Sequence, residues 1–171
     1  MRRTFIESGF DLALSGHIHA QNIATQEYQS GKTLTDIATG SLAVYPHKFG
    51  VVSFQLSTKK FSYTAKELNV EQAADLPGFN ERDRRNFYAI GYDKAMSEIA
   101  SSDVFDQFSE QEKQALANTM AVNNQAYFTG TAPKETPGLK LWKKVSNHFL
   151  RNYVLSTAGK PKQNNNYWAE K

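Results

Sequence analysis

The chain has 171 residues, 40% of them hydrophobic and 22% charged, and its 20 basic against 17 acidic residues leave a net charge of +3. Those numbers suit one ordinary domain or two small ones with enough apolar material for a core. Cysteine is absent, which excludes disulfides, thiolate–zinc sites and cysteine nucleophiles, so any metal must be held by His, Asp, Asn or Glu.

Met1-Arg2-Arg3-Thr4-Phe5-Ile6-Glu7-Ser8 has two positive charges but no apolar run behind them, and so does not read as a signal peptide. Phe10-Asp11-Leu12-Ala13-Leu14-Ser15 is a short apolar run closed by Gly16, the size of a buried strand. Further strands are predicted around Asn22–Tyr28, Thr33–Thr39, Phe49–Leu56 and Phe61–Leu68. Ser30-Gly31-Lys32 and Ser57-Thr58-Lys59-Lys60 supply the turns. Alternation of Thr35, Ile37 and Thr39 with their neighbours, and of Val51, Ser53 and Gln55 with Val52, Phe54 and Leu56, predicts a sheet with one buried face.

Pro77-Gly78 breaks the pattern, and helical punctuation follows. Asn80 is placed to cap a helix to about Ala100, with Phe87, Ile90, Tyr92, Ala95 and Ile99 mostly on one face. Its Glu81-Arg82-Asp83-Arg84-Arg85 stretch is the densest basic run, but acids interrupt it. It reads as a solvated helix face and not a nucleic-acid footprint. Ser109-Glu110-Gln111-Glu112 is a capping box opening a helix that should end near Gly130. Thr136-Pro137 starts a third helix carrying Leu139, Trp142, Val145, Phe149, Tyr153 and Val154. Ala158–Asn166 is polar and expected to be mobile, with Trp168 able to dock back. No apolar run approaches the roughly 20 residues of a membrane span, and no targeting segment gives a cellular address. The division expected is a β-rich part, residues 1–70, and a helical part, 71–171, ending in the polar tail.

The chemistry-bearing stretch is Leu12-Ala13-Leu14-Ser15-Gly16-His17-Ile18-His19-Ala20. A buried strand ends, a glycine turns the chain, and two histidines follow with one residue between them. If the loop is extended, side chains at i and i+2 project to the same side. Two imidazoles placed so can reach two ions about 3.5–4 Å apart. Glycine before the first histidine allows close backbone approach, and ligands at the carboxyl end of a strand are where open sheets usually build sites. The alternative for a bare His-x-His pair is surface or core-satisfied histidines. His47, in Tyr45-Pro46-His47-Lys48, sits on a loop that would approach the same mouth and touch substrate, or else is an ordinary loop histidine.

In context, Gly16-His17-Ile18-His19-Ala20 after a strand ending in Leu-Ser resembles the last motif of the calcineurin-like metallophosphoesterases. Phe5–Asp11 is similar to that family's helix end and turn into this strand. Ala38-Thr39-Gly40-Ser41-Leu42-Ala43-Val44-Tyr45-Pro46 resembles the following strand and loop in bacterial members related to cyclic-nucleotide phosphodiesterases. The helical part is similar, with less specific motifs, to the carboxy-terminal extension of a Gram-positive subgroup. The resemblance implies an α+β fold: the carboxy-terminal, β-rich portion of an α/β/β/α sandwich followed by a helical domain. It also implies that His17 binds one metal and His19 its neighbour, the metals being two divalent ions (Mn, Fe, Zn, Co or Ni).

The family's Asp-x-His, Gly-Asp-x-x-Asp and Gly-Asn-His-Glu or Gly-Asn-His-Asp motifs are not in this sequence. The chain is therefore expected to be the carboxy-terminal fragment of a dinuclear phosphoesterase. Its substrate would be a phosphate ester, nucleotides and cyclic nucleotides among the candidates. Alone it should bind metal weakly and be inactive. The alternative is a non-catalytic remnant or interaction module that pairs with a second copy through exposed sheet edges, or with a partner through its helices.

Overall fold

In a computed structural model, which describes residues 2–159 and 163–170, the chain is mixed α+β, with six α-helices and two three-stranded sheets. Helix α1 (Arg2–Glu7) precedes strands β1 (Leu12–Ser15), β2 (Asn22–Glu27), β3 (Thr33–Ala38), β4 (Lys48–Gln55) and β5 (Lys60–Glu67). Then come α2 (Val70–Ala73), α3 (Phe79–Ala100), α4 (Glu110–Thr129), α5 (Gly138–Trp142), α6 (Phe149–Ala158) and a last strand, β6 (Tyr167–Ala169). The five strands expected in the first part all form, and Gly31 and Lys59 occupy their turns with positive φ.

The first sheet has the order β1-β3-β2. β1 runs parallel to β3, with Ser15 opposite Ala38, and β2 runs antiparallel to it, with Ile23 opposite Ile37. The second sheet is antiparallel, in the order β4-β5-β6, with Val52 opposite Tyr63 and Tyr63 opposite Trp168. Ile23 and Ile37 from one sheet and Tyr63 from the other form a small buried cluster, with Leu12, Ala65 and Trp168 packed against it. Trp168 thus docks back as expected. Helix α1 lies against β3 and buries Ile6.

The alternation in β4 does not produce a buried face. Phe49, Val51, Val52 and Phe54 are all exposed, so both sides of this strand are open.

By internal contacts, residues 1–69, 128–130 and 164–171 form one unit, and residues 70–127 and 131–163 form another. The polar segment at 158–166 divides. Ala158 ends α6, residues 160–162 lie outside the described residues, and Asn165 is buried in the β unit.

In the helical unit, the core is Ala95 and Ile99 of α3, Phe105 and Phe108 of the following turn, Leu116, Ala117 and Met120 of α4, and Trp142, Val145, Leu150 and Val154. The Trp142 indole N–H donates to the Leu116 carbonyl at 2.9 Å, so the largest buried side chain is also polar-satisfied. The capping box forms as read. The Ser109 amide donates to the Glu112 carboxylate at 2.9 Å, and the Glu112 amide donates to Ser109 Oγ at 3.3 Å. Gly130 ends α4 with φ 68°.

Three helical expectations are corrected. Asn80 does not cap α3. Gly78 holds that position, while the Asn80 amide donates to the Glu71 carboxylate. Ile90 is exposed, and Gly91 is buried in its place, because α3 approaches the Ala121 backbone of α4 at Gly91. The single helix expected from Thr136 onward is two: α5 ends at Trp142, and α6 starts afresh with His148 as its cap, Nδ1 accepting from the Leu150 amide. Phe149, now in the first turn of a new helix, is exposed.

Candidate functional site

The parallel pairing of β1 and β3 brings two loops out at one end of the first sheet. The β1 loop carries His17 and His19, and the β3 loop runs from Thr39 to His47. The Thr39 amide donates to the Ser15 carbonyl at 3.0 Å, extending the ladder one step past the strand ends and fixing the origin of both loops.

His17 and His19 are solvent-exposed. The chain bends at His17 and Ile18, and His19 has φ 58°. The loop is therefore bent and not extended, so the placement of the two imidazoles follows from the bend and not from strand alternation. A left-handed histidine is uncommon, and such residues concentrate at functional loops. The close approach expected at Gly16 occurs elsewhere: a Cβ there would meet open space. It is Gly40 that sits tight. A Cβ on Gly40 would lie 3.6 Å from the His19 carbonyl oxygen and 3.0 Å from Lys48 Cβ, so the second loop packs directly on the backbone of the first.

His47 also has positive φ, 56°. Its Nδ1 lies 2.9 Å from the Leu42 carbonyl, which only accepts, so Nδ1 carries the proton and the ring is held against its own loop. Its amide donates to Val44, and its carbonyl accepts from Leu68.

Beneath these loops is a buried polar network that the sequence gives no hint of. Gln21, two residues after His19, is fully buried. Its Oε1 accepts from the Gly40 amide at 3.3 Å and from the Tyr63 hydroxyl at 3.1 Å, and its Nε2 donates to the Asn165 carbonyl at 2.7 Å. Since Tyr63 gives its only proton to Gln21, the 3.0 Å contact between Thr39 Oγ1 and Tyr63 Oη has Thr39 as donor. Lys48 is buried at the start of β4. Its Nζ donates to Asn166 Oδ1 at 2.7 Å and lies 3.9 Å from Glu67. Burial holds the Lys48 ammonium below the usual lysine range, and Glu67 offsets part of that.

As a metal donor set, His17 and His19 fit in kind: imidazole nitrogens suit first-row divalent ions. They do not fit in number. Among the described residues no cluster of three or more His, Asp or Glu gathers that could hold an ion. A hollow of about 330 Å³ in the β unit, lined by Ile6, Phe10, Asp11 and Lys32, lies at the opposite ends of β1 and β3 from the histidines.

A profile of the family described as the C-terminal domain of cyclic nucleotide phosphodiesterase matches residues 62–164, more than half of the chain. The chain belongs to this family. The match begins in β5, takes in all of α2 to α6, and ends at the asparagine run. This phosphodiesterase-type C-terminal domain is thus the helical unit together with a strand of the second sheet, and the histidine loop lies before it. No curated protein matches the chain. None of the helices among the described residues is long and apolar enough to cross a membrane.

Proposed function

We propose that the chain is the carboxy-terminal part of a dinuclear metallophosphoesterase, in which His17 and His19 each supply one ligand to a neighbouring divalent ion. The substrate is a phosphodiester, with cyclic nucleotides the first class to test. The observation that carries this reading is the placement of the Gly-His-x-His loop at the carboxyl end of β1, beside the parallel strand β3, with His19 in left-handed geometry against Gly40. Membership of the cyclic nucleotide phosphodiesterase C-terminal family supports the phosphodiester class. The resemblance of residues 12–20 to the calcineurin-like motif supports the metal chemistry.

Two imidazoles give at most one ligand to each ion, and a tetrahedral or octahedral shell needs several more. The remaining ligands must come from other polypeptide. The chain alone therefore binds Mn²⁺ weakly and does not turn over phosphodiesters. Assaying bis-p-nitrophenyl phosphate with added Mn²⁺ tests this. Robust turnover by this chain that disappears in His17→Ala would refute the partial-site reading. Absence of any Mn²⁺-dependent broadening of the His17 and His19 imidazole resonances would refute the ligand assignment itself.

A further inference from the structure

We infer that Gln21 is a positioning residue for the two loops that carry His17, His19 and His47, and that the segment Asn164–Asn166 is the latch that holds Gln21 in place. Its geometry is independent of any metal; its consequence for metal binding rests on the proposed role of His17 and His19.

Gln21 is the point where the His19 loop becomes buried, Ala20 and Gln21 being among the least exposed residues of the chain. Its acceptor end is committed to the amide of Gly40, the residue packed on the His19 carbonyl, and to the Tyr63 hydroxyl, which in turn takes the Thr39 hydroxyl proton. One carboxamide thus ties the exit of the first loop to the entrance of the second. The orientation of the amide is fixed by chemistry. A reversed Gln21 would set an NH₂ group against the Gly40 N–H and lose the donor to Asn165.

The donor end is where the latch acts. The Asn165 backbone carbonyl accepts from Gln21 Nε2, its Oδ1 accepts from the Ile23 amide at 3.1 Å, and its own amide donates to the Gly130 carbonyl. Asn166 accepts from Lys48 and donates to the Thr129 and Gly130 carbonyls at 3.1 and 3.3 Å. Asn164 closes the turn by accepting the Asn166 amide at 2.9 Å. Each asparagine of the run has its own task, and only a side chain offering donor and acceptor together could serve at Asn166. Gly130 is required by the same arrangement: a Cβ there would stand 2.6 Å from Gln21 Cγ.

The test is amide exchange and imidazole NMR on the full chain, without metal and then titrated with Mn²⁺. In Gln21→Ala, exchange at the Gly40 amide should rise at least tenfold and the His19 and His47 imidazole resonances should move, while amides of α4 and α6 stay protected. Gln21→Glu keeps the acceptor oxygen and should restore part of the Gly40 protection. Asn165→Ala should reproduce the Gln21→Ala shifts in weaker form and, if Gln21→Ala does not fold, carries the same comparison. The Mn²⁺ concentration that half-broadens His17 and His19 should rise about tenfold in Gln21→Ala. Imidazole resonances that stay put while Gly40 is freed would overturn the positioning role. Resonances that move in a chain whose histidines never respond to Mn²⁺ would uphold the positioning role and reject the metal reading.

Discussion

Tyr63 lies on the bare backbone of Gly50 in the neighbouring strand: a Cβ added at Gly50 would stand 2.5 Å from the Tyr63 ring edge. Tyr63 is both the centre of the small inter-sheet core and a donor to Gln21, so its ring cannot retreat without breaking the polar network. Gly50→Ala should therefore destabilise the β unit by about 1–3 kcal/mol through overpacking, read as a lowered denaturant midpoint with unchanged slope. A smaller ring-side partner should relieve the clash. The double variant with Tyr63→Leu is expected to lose less stability than the two single losses added together.

The capping box makes a sharper, smaller prediction in the helical unit. Ser109→Ala removes the hydroxyl that accepts the Glu112 amide, and caps of this kind contribute about 1 kcal/mol. Thermal unfolding of Ser109→Ala should show that loss. Ser109→Asp, which keeps an acceptor at the helix start, should recover most of it.

What was legible in the sequence was whatever is decided locally. The capping box at Ser109 and Glu112 needs only residues three apart. The turn at Gly31 and the stop at Gly130 are matters of the freedom of glycine at positive φ. The break between Trp142 and Phe149 was not legible, because apolar spacing runs on through Leu139, Val145 and Val154 while His148 interrupts it by accepting a backbone amide. Histidine in a helical pattern gives no warning of that. At the site, the Gly-His-x-His spacing and the strand before it were readable. Gln21, Lys48 and the asparagine run were not, since the Gln21–Asn165 bond joins residues 144 apart in sequence and a polar run reads as solvated by composition alone. The alternation in β4 misled for a related reason. Periodicity says which residues share a face, not whether anything covers it.

Tyr153 gives the helical unit a pH signature. Burial first, and Tyr127 second, push its phenol up to about 12, and its hydroxyl donates to Asn124 Oδ1. The unfolded chain releases that proton near the ordinary tyrosine value of about 10. In the window from there to the raised value, the folded protein holds a proton that the unfolded chain has lost. The stabilisation is thus complete below the lower limit and falls as pH rises through the window. The melting temperature should drop with a matching slope. Tyr153→Phe should lessen the slope without abolishing it, because burial also raises Tyr88 and Tyr127.

Strand β4 is one of the two edges of the second sheet among the described strands, β6 being the other, and from Phe49 to Leu56 it carries no charge. Phe54 packs across against Phe61 in a tilted arrangement with ring centroids 4.7 Å apart, yet both remain about two-fifths exposed, and Val52 is similarly open. An uncharged, two-sided apolar edge lacks the lysines and prolines that usually block strand addition. The isolated chain should therefore self-associate in solution by pairing β4 with β4 of a second copy. Sedimentation velocity over a concentration series should show a concentration-dependent shift to larger species. Val52→Lys should suppress it by placing a charge on the edge, on the side chain opposite Tyr63 of β5. A wild-type chain that sediments as a monomer throughout would mean that the exposed edge is not used in this way, and Val52→Lys would then change solubility alone.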